Sequence, residues 1–129
     1  LDLEEEGGLE LYKDLIALLE TLPHLDVAVL HALAGKLGRA GADTAFQTFA
    51  DLLLGWLGRM ILSVSRGDQG MSSVEAVLNN RLAAASSLAS WLEVWDKINH
   101  LLARTDAINM DRRQMIITIF LALEKAAQG

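Results

Sequence analysis

The sequence predicts an all-α fold, a single-domain antiparallel bundle of five or six helices. Three observations carry that expectation. Apolar residues recur at helical spacing along most of the chain, no stretch alternates with period two for long enough to make a strand, and the periodic segments are joined by short connections. The chain has 129 residues, 52% of them apolar, so it can enclose one core without cross-links. It contains no cysteine, which excludes disulfides and cysteine-based metal sites.

The stretch 109–127, NMDRRQMIITIFLALEKAA, is the expected centre of the bundle. Asp111 can cap a helix, with Gln114 three residues on to reach back, and Met110 and Met115 fall at hydrophobic-staple positions. From Met115 to Leu123 the only polar residue is Thr118. A helix apolar nearly all round has to be enclosed nearly all round, so the other helices should pack about it. It is too short and too closely flanked by charge to span a bilayer.

The preceding elements follow in order. LDLEEE, residues 1–6, is acidic, and Gly7-Gly8 should interrupt any helix there. From Leu9 a stripe of Leu9, Tyr12, Leu15, Ile16, Leu19 and Leu22 marks a first helix that Pro23 helps to end. Asp26 can cap a second, stapled by Leu25 and Leu30, with Val27, Leu30, Leu33, Ala34 and Leu37 as its stripe and Gly38 and Gly41 closing it. A long third helix over 43–65 presents Phe46, Phe49, Leu53, Trp56, Leu57 and Met60, widened by Leu52, Leu54 and Ile61. Gly55 and Gly58 inside it cost about 1 kcal/mol each against alanine, and close approach of another helix is the expected compensation. After the loop RGDQGMS, Ser72 and Glu75 read as a capping box before a short fourth helix with Val74, Val77, Leu78 and Leu82. A weak break at 83–87 leads to a fifth helix over 88–104. Its face is Leu88, Trp91, Leu92, Trp95, Ile98, Leu101 and Leu102, with Glu93 and Lys97 in favourable i,i+4 order. Residues 105–109 link it to the last helix.

There is no phosphate-binding loop, no dinucleotide fingerprint, no nucleophile elbow and no zinc-protease motif. His24, His31 and His100 are scattered, so no metal site is expected, and Glu4, Glu5 and Glu6 read as a solvated acidic run. A net charge of −6 argues against nucleic-acid binding by this domain. No catalytic residue and no cofactor are assigned.

Four residues are candidates for an interface. Trp91 and Trp95, i,i+4 on one helix, can anchor a partner or fill the core. Arg112 and Arg113 stand in the first turn of the last helix, where the dipole disfavours cations. That placement points to an anionic partner surface, or to two solvated arginines near Asp106 and Asp111.

Three stretches, GGLELYKDLIALLETLP, FADLLLGWLGRMI and WLEVWDKINHLLARTDAINMDRRQMIITIFLALEKAA, resemble the C-terminal domain of the delta-prime subunits of bacterial DNA polymerase III clamp loaders, in the alphaproteobacterial style. The resemblance covers nearly the whole chain and is strongest from Trp91 onward. It implies a subunit with an AAA+ domain, a small helical lid and a helical C-terminal domain. The C-terminal domains of five subunits close a collar, and delta-prime serves as a stator beside delta and gamma/tau. Residues 1–6 would end the lid and 7–129 would form the collar domain. The family's arginine finger and zinc cysteines belong to its first domain, and no position here matches them. The expectation is therefore a non-catalytic, cytoplasmic association domain whose partners are delta and gamma/tau, with no direct contact to nucleic acid or membrane. The alternatives are a stand-alone helical regulator that dimerises through Trp91 and Trp95, and a small helical enzyme whose residues are not grouped by spacing. The first residue is Leu1, not Met, which suggests a fragment of a longer protein.

Overall fold

The computed structural model describes residues 3–66, 74–108 and 111–128. Among them are six helices and no strand: α1 (Leu3–Leu19), α2 (Val27–Gly38), α3 (Asp43–Arg66), α4 (Val74–Ala85), α5 (Leu88–Ile108) and α6 (Arg112–Ala127). All six contribute to one continuous apolar core. The all-α bundle expected from the periodicity is the fold that forms.

Two helices, not one, organise the packing. α6 lies against α2, α5 and α4, while α3 lies against α1, α2, α4 and α5. The two are joined at Phe49 and Phe120, whose ring centroids are 6.1 Å apart at 41°. α6 buries Met115, Ile116, Ile119, Phe120 and Leu123, but Leu121 is 48% exposed. From Met115 to Leu123 it is the one exposed residue, so α6 is enclosed nearly all round, as expected, with that exception. Its apolar sequence exceeds what its neighbours can cover, because α3 already takes the opposite side of the core.

Helix ends follow local chemistry where caps are available. Asp26 has extended backbone and its carboxylate accepts from Val29 N–H, and Asp111 likewise accepts from Arg113 N–H. Leu25 and Leu30 are both buried beside the first of these caps. Gln114 does not complete a capping box; its amide donates instead to Thr118 Oγ1 at 3.4 Å. Ser87 accepts from Ser90 N–H at 3.1 Å and so starts α5. Ser72 and Met110, the other proposed capping and staple residues, lie outside the described residues.

Three boundaries differ from expectation. α1 passes through Gly7-Gly8 without a break. Two glycines cost about 2 kcal/mol together, which is less than the packed and strongly periodic segment that follows supplies. α5 continues to Ile108, four residues beyond the expected end, since no Gly or Pro stops it. Gly38 is the last residue of α2, not a left-handed terminator; Gly41, with φ +86°, holds that conformation in the turn that follows. Gly38 serves close approach. A Cβ there would lie 3.0 Å from Arg113 Cβ and 3.1 Å from Arg113 N, so α2 and α6 meet backbone to backbone.

The glycines of α3 divide in the same way. Trp95 of α5 lies 3.5 Å from where a Gly58 Cβ would be, the helix approach that the sequence suggested. Gly55 instead leaves room for the guanidinium of Arg59, one turn along the same helix, at 3.3 Å.

The α1–α2 turn, with a cis Leu22–Pro23 peptide, is tied from two sides. Arg81 of α4 donates to Leu22 O at 2.6 Å and Glu20 O at 3.2 Å. From α6, Glu124 accepts from Leu25 N–H at 2.9 Å and Gln128 donates to Pro23 O at 3.2 Å. Backbone groups that leave helix hydrogen bonding at this turn are thereby satisfied by side chains of distant helices.

Candidate functional site

The structure separates the four candidate interface residues. Trp91 is fully enclosed and belongs to the core, one of the two roles its sequence position allowed. Its indole cannot meet a partner in this fold. Trp95 is half-buried, its ring laid over Gly58. Arg112 is half-buried and ion-paired with Asp43, in the first turn of α3, with its guanidinium 5.6 Å from the centre of the Phe46 ring. Tertiary structure thus supplies the compensation that its own helix dipole denies it, and it comes from Asp43; the side chain of Asp106 lies outside the described residues. Arg113 is exposed, and its side chain has no hydrogen-bond or ion-pair partner among the described residues.

The densest polar cluster joins three helices and went unread in the sequence. Glu75 of α4 takes a two-pronged contact from Arg59 of α3, with Nε to Oε2 at 3.1 Å and Nη2 to Oε1 at 2.7 Å. Tyr12 of α1 donates its hydroxyl to the same Oε1 at 2.9 Å. Hydrogen bonding from Arg59 holds the Glu75 carboxyl below its ordinary range, against the opposing effect of burial. Tyr12 is pushed up, first by burial and then by its bond to the carboxylate, and Arg59 is raised by its bond to Glu75. The signal available beforehand was Arg59 itself, the sole charge between Leu52 and Val64. Its partner, sixteen residues on, could not be assigned by spacing.

This cluster fastens helices together: Arg59 Nε and Nη2, the Tyr12 hydroxyl and both Glu75 oxygens are engaged with one another. Because the folded pKa of Glu75 lies below its ordinary value, its contribution is complete at neutral pH. It is lost as pH falls through the lowered value. The expected result is a drop in unfolding free energy below about pH 5 that is smaller in Glu75→Gln. At neutral pH that variant costs about 1 kcal/mol, since Arg59 is half-exposed and partly screened. Urea unfolding of both proteins across pH 3–7 checks it; identical pH profiles would count against the assignment.

A groove of about 330 Å³ runs between α5 and α6, lined by Ser86, Ser90, Glu93, Lys97, Ala122 and Lys125 among others. It holds charges of both signs on an apolar floor. His24, His31 and His100 all face solvent. Among the described residues no group of three metal-ligating side chains occurs, and no helix is long and apolar enough to cross a membrane.

No family model, curated protein or solved structure matches the chain. The functional reading therefore rests on the residues and their arrangement.

Proposed function

We propose that this is a subunit-association domain, the collar domain of a delta-prime-type clamp-loader subunit, which supports loading of a sliding clamp onto DNA without itself handling nucleotide. The observation that carries this reading is the resemblance of residues 91–127, WLEVWDKINHLLARTDAINMDRRQMIITIFLALEKAA, together with the two shorter stretches before it. The way the helices are fastened supports it. Glu75 ties α1, α3 and α4 through side chains, and Arg81, Glu124 and Gln128 pin the α1–α2 turn. A module so cross-tied suits a stator, which holds its neighbours in position rather than changing shape. The partners are the delta and gamma/tau subunits.

The rival reading, a regulator that dimerises through an exposed Trp91 and Trp95 face, loses its main feature because Trp91 lies inside the chain's own core.

The test is assembly. The domain is mixed with delta and gamma/tau subunits and followed by light scattering. The expected result is a complex that forms most firmly with the full set, because ring closure multiplies modest pairwise contacts. Absence of association at every stoichiometry would overturn the proposal.

A further inference from the structure

We propose that the outer face of α2 is a docking surface for an amphipathic helix of a neighbouring subunit, packed antiparallel to α2 and carrying acidic residues in its first turn. The identity of that neighbour rests on the assembly reading above; the surface itself does not.

α2 reads VAVLHALAGKLG, in which His31 and Lys36 are the only polar side chains. Its inner side buries Leu30, Leu33, Ala34 and Leu37. The outer side is not the charged face that a solvent-facing helix ordinarily carries. Val27 is 57% and Val29 42% exposed, and Ala28, His31 and Ala32 are exposed between them, His31 toward the Val27 edge. Gly35 continues the row, with open space where a Cβ would stand. An apolar face of this kind is complementary to another helix rather than to water.

Charge selects the occupant. Lys36 is held by Asp14 at 3.3 Å. Arg39, which caps the C-terminal end of α2, is exposed and its side chain has no partner among the described residues. Arg113 stands at the same end, its Cβ 3.0 Å from where a Gly38 Cβ would be, and its side chain too has no partner among the described residues. Two cations unpaired among the described residues thus mark one end of the face, on a chain whose net charge is −6. Acidic side chains are most stable in the first turn of a helix. A helix running antiparallel to α2 places that turn beside Arg39 and Arg113, with its apolar side along Ala28 and Ala32.

Size excludes a second copy held by this face alone. Twelve residues make a helix about 18 Å long. That is too short to bury the roughly 800 Å² per partner of a stable pair. The contact belongs to an assembly that closes through several such surfaces.

The test uses ¹⁵N-labelled domain and two designed amphipathic peptides, one with glutamates in its first turn and one with them in its last. The first peptide should shift the amides of Val27 to Arg39 and bind more tightly than the second. Ala32→Glu and Arg39→Glu should each weaken it roughly tenfold, as loss of a central contact or of an attractive charge does. Val77→Glu, on exposed α4 surface, should leave it unchanged. Shifts centred elsewhere, no shifts, equal binding by all three variants, or a stable homodimer through α2 would overturn the proposal. Repeating the variants in the subunit mixture separates the two readings. If the peptide maps to α2 but no subunit associates, the assembly reading fails and the surface stands. If subunits associate equally with wild type and both α2 variants, the surface fails and the assembly reading stands.

Discussion

Phe120→Ala should cost about 3–5 kcal/mol of folding stability, the largest single effect we expect from this chain. Phe120 is fully enclosed in α6 and its ring meets Phe49 across the core at 6.1 Å. Truncation removes buried apolar surface, opens a cavity at the junction of the two organising helices, and strips one partner from the aromatic pair. Against a total stability of about 5–15 kcal/mol for a domain of ordinary size, that is a fifth or more of what holds the fold together. The neighbouring Leu121 provides the control. It is 48% exposed, so Leu121→Ala should stay within about 0.5 kcal/mol of wild type. Urea denaturation of both variants decides the matter. Equal losses at the two positions would mean that the face of α6 turned to the core has been wrongly assigned.

The second large effect concerns a buried polar contact. Trp56 of α3 donates its indole N–H to Asn79 Oδ1 of α4 at 2.6 Å, and Asn79 is the one buried polar residue among those described. Asn79→Ala leaves that N–H without an acceptor in a dry environment, at a cost of about 1–3 kcal/mol beyond the lost packing. Trp56→Phe removes the need for the acceptor, so the double variant should be less destabilised than the sum of the single changes. Additive losses would show that the bond contributes nothing. Trp91 offers an internal comparison, because its Nε1 is buried with no partner among the described residues. Replacing Trp91 by Phe removes no hydrogen bond, so it should disturb only packing.

Much of this architecture was legible in the residues. Asp26 and Asp111 stand at cap positions in the sequence and cap their helices in the fold, because capping is decided within three or four residues of chain. The α3 face from Phe46 to Met60 is buried as its periodicity requires. Elsewhere local pattern was overruled. Leu9, Val27 and Leu92 fall on apolar stripes yet are more than 45% exposed, while Leu11, Leu18 and Val94, off those stripes, are buried. A stripe gives the direction of a helix's apolar side but not how wide a surface its neighbours cover. α1, pressed against α3 and α2, is covered more broadly than a single stripe allows for.

The interface candidates show the same limit. Trp91 and Trp95 are one turn apart and were inseparable by spacing, but one ring is sealed in the core and the other lies across Gly58 near the surface. Arg112 and Arg113 are adjacent and equally disfavoured by the α6 dipole. Their fates divide because Asp43 happens to stand beside one of them.

The sequence by itself determined the class of fold, the starts of two helices with visible caps, and most of the side chains that enter the core. These depend on periodicity and on hydrogen bonds between near neighbours. Tertiary structure alone decided which helices share the centre, which charges are satisfied, and which apolar surface is left over. Arg59 met Glu75, Arg81 met the α1–α2 turn, and the outer side of α2 stayed open. Each of those outcomes depends on where distant segments come to rest once the core has closed, and that is set by packing of the whole chain.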